Sequence, residues 1–329
     1  MHDPGSDIRF SDDFRWFFLR AAGGFAGLIV PSVVASKAVM TAVFALAAGC
    51  AAIGIIPRLF RAEGWLAAGA DLKQPFALAI FVMLGCWLVS ALVGLAPARS
   101  LAAWGWTAGL LGLGWVLASA LREDQRAIDE ALWSLVVTSL VCIVLALAAM
   151  YLWPGAVDPF GVRGIDGFHN ARQKLKSYGS IAPVLAPLAV WAAWRLGGVW
   201  RIAGLVYVVL AAVLVLTVSS RAGLLGAASI GLALAVAFML TRLGRHAARW
   251  TAAALGVAAV AGTIVFATYL PKPPIAGLQD YRISRTFQVH RQAIWGFAVH
   301  HAVRAPVFGH GPDAARLIPG ANKRVGWFA

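Results

Sequence analysis

Arg221 stands in the stretch LTVSSRAGLLG, residues 216–226, between two long aliphatic runs. A permanent cation in such surroundings costs free energy unless it snorkels to lipid headgroups or meets an anion. Ser219 and Ser220 beside it offer hydroxyls, and Ala222 and Gly223 let backbones approach closely. A guanidinium among small residues suits phosphate, because its planar fork bonds two oxygens at once. The simpler alternative is an arginine that ends a helix and reaches toward water.

Further groups for the same chemistry fall in two stretches. The first, FGVRGIDGFHNARQKLKSYGS over residues 160–180, holds Arg163, His169, Asn170, Lys174 and Lys176, and its glycines predict an irregular loop. The second, ISRTFQVHRQAIWGFAVHHAVRAPVFGHGPDAARL over residues 283–317, holds Arg285, Arg291, His290, His300, His301 and His310. The histidine spacing fits no metal site, and the adjacent helix positions His300 and His301 are expected to point apart. Cys50, Cys86 and Cys142 lie inside apolar blocks and read as small buried hydrophobes. Neither a metal nor a cofactor is expected.

The elements that must position these groups follow from composition. Hydrophobic residues make up 60% of the chain and charged ones 13%, against roughly 45–50% and 25% in soluble domains. The apolar residues come in blocks of about twenty, enough for a helix to cross a bilayer. The expectation is an all-α polytopic transmembrane bundle of about nine spans, near 18–36, 38–57, 76–96, 100–121, 131–153, 179–196, 199–219, 222–241 and 250–270. A cytoplasmic tail (1–17) precedes this transmembrane domain (18–270), and a basic loop segment (271–329) follows it. The tail carries too many acidic residues, Asp3, Asp7, Asp12 and Asp13, for a cleaved leader. Pro31 falls in the first span, while Pro183 and Pro187 are expected to kink the sixth. In the last segment Ser284 is expected to cap an amphipathic helix running to about Val303. Phe287, Ile294, Phe297 and Ala298 would form its apolar side, and Arg285, Gln288 and Gln292 another face. Such a helix would lie on the membrane surface or over the bundle.

Orientation follows from basic residues in short loops. With the N-terminus inside, cytoplasmic segments hold residues such as Arg15, Arg20, Arg58, Arg61, Arg122, Arg126, Arg242 and Arg245, whereas the short outer turns hold only Lys37, Arg99 and Arg221. Residues 154–178 and 271–329 are basic although outside, which favours an anionic ligand on that face over the indifferent charge of a long loop. Nucleic acid is excluded as a partner, because the basic charge is spread over both faces; membrane lipids are expected partners.

Three motifs in this order resemble the O-antigen ligase superfamily, which includes related glycan polymerases. They are Ser220–Arg221–Ala222 at the outer end of a span, Arg163 with Gly167, Phe168, His169 and Asn170 two spans earlier, and Arg285, Trp295, Pro306, Gly309 and Gly311 in the last segment. The resemblance implies a bacterial inner-membrane enzyme with a periplasmic active face. Such an enzyme moves a glycan from an undecaprenyl diphosphate carrier to lipid A–core or to another glycan. It implies diphosphate contacts at Arg221, Arg285 and Arg163, with His169, Asn170, Lys174, Lys176 and Arg291 in second rank. Such enzymes are metal-independent. The superfamily's catalytic histidine lies in an H-N-x-x-L-like motif late in the large loop, and no such motif occurs here. His169–Asn170 has the same dipeptide in a different loop and takes no base role. A C-terminally truncated member is the expectation, which leaves catalysis by this chain open. The alternatives are a transporter or flippase for an anionic lipid-linked solute, and an inactive or scaffold form.

Overall fold

A computed structural model describes residues 4–59, 74–153, 175–218, 220–242, 245–268, 288–305, 309–314 and 317–318. Its described elements are α-helices and one short 3-10 helix (Pro31–Val34): α1 Pro4–Leu28, α2 Lys37–Leu59, α3 Pro75–Val93, α4 Pro97–Leu121, α5 Gln125–Tyr151, α6 Lys176–Leu196, α7 Val199–Val218, α8 Arg221–Arg242, α9 Arg245–Thr268 and α10 Gln288–Arg304. Five of them, α2, α4, α5, α6 and α7, are long and apolar enough to cross a membrane. Their outward faces carry exposed Leu145, Val184, Ile202, Leu205 and Leu216, as hydrocarbon solvent requires. This is a multi-pass helical membrane protein.

The helices fall at the positions that apolar periodicity predicts, with local differences. The first helix starts at Pro4 and stops at Leu28, so the expected 18–36 span is broken. Pro31 opens the 3-10 helix instead of sitting inside an α-helix, which spares the chain a lost hydrogen bond. Asp129 and Glu130, expected in a connecting loop, lie within the first two turns of α5.

The chain forms two compact units, residues 1–65 with 112–238, and residues 66–111 with 239–329. In the first, α5 is the central element. Its Leu132, Leu135, Val136, Ile143, Ala146 and Met150 pack with Tyr178, Ala182, Leu185 and Ala189 of α6 and with Tyr207, Ala211 and Leu214 of α7. Lipid is as apolar as leucine, so close van der Waals contact holds such helices together. The alanine-rich face of α6 permits it: at Gly204 of α7 an added Cβ would lie 2.7 Å from the Ala193 Cβ. Gly23 and Gly27 of α1 likewise press against the α5 backbone at Ala127 and Ala131.

Charges close one end of this unit, called the lower end here. Arg15 of α1 pairs with Glu123 and donates through Nε to the Gly54 carbonyl of α2 at 3.2 Å. Asp124 caps α5 by accepting from the Arg126 amide at 2.9 Å. At the upper end, the end of α5 meets the start of α6, the end of α7 and the start of α8.

In the second unit, α3 and the first part of α4 form a hairpin. Pro75 and Pro97 each open their helix at the first turn, where a missing amide costs nothing. Trp104 Nε1 donates to the Leu84 carbonyl at 2.9 Å and fixes the pair.

Candidate functional site

The upper end of the first unit is built on a proline. Pro183 has no amide, so the Gly179 carbonyl of α6 loses its helical partner. Helix α6 runs through both Pro183 and Pro187, and α8 packs where the carbonyl is freed: a Cβ added to Gly223 would lie 2.5 Å from Gly179 O. The two helices meet there at their N-terminal turns.

A chain of hydroxyls locks the contact. The Gly223 amide donates to Ser220 Oγ at 3.0 Å, which makes Ser220 the cap of α8. Ser220 and Ser180 hydroxyls lie 2.8 Å apart, and Ser180 Oγ donates to the Lys176 carbonyl at 3.0 Å. Each hydroxyl has one proton. Ser180 gives its proton to Lys176 O, so Ser220 must donate to Ser180. The order runs from the Gly223 amide through Ser220 and Ser180 to the Lys176 carbonyl, with every proton used. Nearby, the Tyr151 and Thr217 hydroxyls join α5 to α7 at 2.9 Å.

Ser220 is fully buried and its hydroxyl faces α6. What it fixes is the start of α8. Arg221 is the first residue of α8, and Lys176, exposed, is the first of α6. Both helices therefore open with a basic residue at the positive end of the helix dipole, where an anion is favoured. By helix geometry the amides of Arg221 and Ala222 also point past the helix end.

Sequence reasoning missed Ser180 and Gly179. The only local signal is KSYGS, a small-residue step just before a proline-bearing span. Of the expected contacts, Arg163, His169, Asn170, Lys174 and Arg285 lie outside the described residues, as do Ser219 and Ser284. Arg291 falls in the first turn of α10, in the second unit.

In that unit the glycines of the last motif have a packing reason. Gly309 and Gly311 adopt φ of 65° and 95°, a left-handed backbone that glycine tolerates best. The turn they form docks on the α3–α4 turn. The Leu95 amide donates to His310 O at 3.0 Å, and Ser100 Oγ donates to Pro312 O at 2.8 Å. Arg99 Nε pairs with Asp313 Oδ2 at 2.6 Å. A Cβ on Gly94 would stand 2.7 Å from His310 O, and one on Gly311 would stand 2.6 Å from Ser100 Oγ.

His310 Nε2 lies 3.1 Å from the His301 carbonyl, and with the proton on Nε2 it donates there. The His301 ring sits 5.8 Å from that of His310 and 5.4 Å, edge-on, from that of His300. His300 and His301 thus touch, contrary to the expectation from helix spacing. Partial burial, then His300, Arg304 and His310 in turn, lower the His301 pKa from its usual value. Among the described residues no three His, Cys, Asp or Glu side chains gather for a metal. No family model, curated protein or solved structure matches the chain.

Proposed function

We propose that the protein acts in glycan transfer from an undecaprenyl diphosphate carrier, on the periplasmic face of the bacterial inner membrane, with lipid A–core or another glycan as acceptor. In this reading the chain crosses the membrane about nine times with its N-terminus inside, and the upper end of the first unit faces the periplasm. One observation carries it. Two helices that each begin with a cation, Lys176 and Arg221, are tied start to start by the Ser180–Ser220 hydroxyls. Two positive helix ends held together by hydrogen bonds are preorganised for a diphosphate, whose charge grows as the glycosidic bond breaks. The resemblance implies Arg163 and Arg285 as further diphosphate contacts, with His169, Asn170, Lys174 and Arg291 in second rank. The resemblance of the three motifs to the O-antigen ligase superfamily supplies the substrate class.

The test is attachment of glycan to lipid A–core in cells whose own ligase is deleted and which express this protein. Arg221→Ala should abolish attachment, and Arg221→Lys should lower it about a hundredfold, because an ammonium cannot bond two phosphate oxygens together. Membrane insertion of both variants should be unchanged. Attachment at the wild-type rate in Arg221→Lys would remove the bidentate role. Attachment that is absent with the unaltered chain would favour the transporter or scaffold alternative.

A further inference from the structure

Four carboxylates stand at the start of α5, and they divide into two pairs. Glu123 pairs with Arg15, and Asp124 lies 3.9 Å from Arg20 and caps the helix. Asp129 and Glu130, just over one turn further on, are differently placed. Asp129 accepts from the Gln125 amide at 3.1 Å, and among the described residues neither side chain has an ion-pair partner. The helix dipole acts within the first turn, so it gives little reason for acids at the fifth and sixth positions of α5. Both are exposed, and both line a groove of about 360 Å³ together with Trp133 of α5 and Leu196 of α6. Asp129 and Glu130 precede Trp133 by four and three residues, so all three share one side of the helix.

The depth of this groove is set by its neighbours. Leu196 ends α6 and Val199 begins α7, two helices long and apolar enough to cross a membrane. The groove therefore opens where the hydrocarbon stops. Aromatic rings mark the same level: Trp133 meets Trp200 edge-on at 6.2 Å, and Arg195 lies 5.7 Å from the Trp191 ring. Tryptophan prefers that depth. Exposed arginines stand beside the lining, Arg195 next to Leu196 and Arg201 next to Trp200. A site for anionic lipid would present only basic groups. Carboxylates within and guanidiniums alongside are complementary to a zwitterion instead.

We propose that the groove binds the headgroup of phosphatidylethanolamine, with its ammonium at Asp129 and Glu130 beside the Trp133 ring and its phosphate toward Arg195 or Arg201. A primary ammonium brings three N–H donors to two carboxylates, and an indole ring attracts the same charge. The volume falls in the range of small-ligand sites. The trimethylated head of phosphatidylcholine has no donor to give, and phosphatidylglycerol has no cation at all. Selectivity for the primary amine follows from these differences. Lipid binding at this lower end is independent of the glycan-transfer reading of the upper end.

Native mass spectrometry of the full chain in detergent tests it, with phosphatidylethanolamine, phosphatidylcholine and phosphatidylglycerol titrated in turn. One phosphatidylethanolamine should bind about tenfold more tightly than either of the others. The double variant Asp129→Asn, Glu130→Gln should bind all three alike, and Trp133→Leu should keep a weakened preference. Equal binding of the three lipids by the unaltered chain would overturn the proposal. So would a preference for phosphatidylethanolamine that survives in the double variant, because the site would then lie elsewhere. Soluble glycerophosphoethanolamine that binds as tightly as the lipid would make the occupant a free amine and overturn the lipid assignment. Hydrogen exchange on the unaltered chain gives a readout that no misfolded variant can obscure. Amides of 125–133 should exchange about fivefold more slowly with phosphatidylethanolamine than with phosphatidylglycerol. Equal exchange with both would overturn the placement at α5.

Discussion

The α6–α8 junction and the docked turn at residues 309–313 use one device in two solvents. Each sets a glycine against a backbone carbonyl, Gly223 against Gly179 O and Gly94 against His310 O. Each adds a serine whose hydroxyl bridges two segments, Ser220 and Ser100, both fully buried. They differ in what surrounds these contacts. At the α6–α8 junction the bonds pass between helices, and no proton is left over. At the docked turn the charged partners are open to water, with the Arg99 and Asp313 side chains 41% and 52% exposed. Water competes for the exposed pair, and less for the part-buried contact between Ser180 and Ser220. The first contact is therefore part of the protein's stability, and the second is a local attachment that can loosen alone.

Glycine substitution separates them most strongly. Gly223→Val should push α8 off α6 and cost about 1–3 kcal/mol or more, read as a lower melting temperature of the purified protein in detergent. Gly94→Val should leave that temperature nearly unchanged while hydrogen exchange across 309–314 speeds up. If both variants melt early, the two contacts are not independent.

Next in size is the hydroxyl chain. Ser220→Ala removes the cap of α8 and the acceptor for the Gly223 amide, at a cost of about 1–2 kcal/mol. Ser180→Ala should cost less, because Ser220 keeps its bond from Gly223. The double variant should show a coupling of about 0.5–1.5 kcal/mol in a double-mutant cycle. Additive losses would mean that the two hydroxyls do not act as one chain.

Acid should act on the docked turn alone. His301 lies on α10, and of the named residues that lower its pKa only His310 belongs to the docked turn, so release of the turn lets His301 take up a proton more readily. Docking is therefore strongest above the usual histidine value near 6.5 and is weakened as pH falls below it. Exchange at 309–314 should rise between neutral and mildly acidic pH, and His301→Gln should flatten the response. An unchanged pH profile in that variant would shift the effect to another group.

The smallest change expected is from Asp313→Asn. It breaks an exposed ion pair worth about 0–1 kcal/mol, and the effect should shrink further at high salt. A loss larger than that of Gly94→Val would show that charge, not backbone contact, holds the turn.

Much of the fold was legible because hydrocarbon solvent imposes a simple rule. Blocks of about twenty apolar residues must be helices, since no other open segment satisfies its own backbone in lipid. The positions of α2 through α9 follow from that rule, apart from the earlier starts of α4, α5 and α9. The end of α1 does not, because only packing decided that the chain would break at Leu28 and wind Pro31–Val34 more tightly. Arg221 could be singled out by its apolar surroundings. Its anchoring could not, because Ser180 and Ser220 are forty residues apart and hydroxyls carry no long-range signal in sequence. The match of Arg99 to Asp313, 214 residues away, is equally silent.

The sequence by itself determined that this is a helical membrane protein and where its helices run, and it placed Lys176 and Arg221 just ahead of the sixth and eighth spans. Tertiary structure decided that those two helix starts meet, that Ser220 faces inward, and that the turn at residues 309–313 docks on the α3–α4 turn. The physical reason is range. Hydrophobic periodicity is a local property that each segment carries alone, whereas a shared proton or a glycine against a distant carbonyl exists only once two segments have packed.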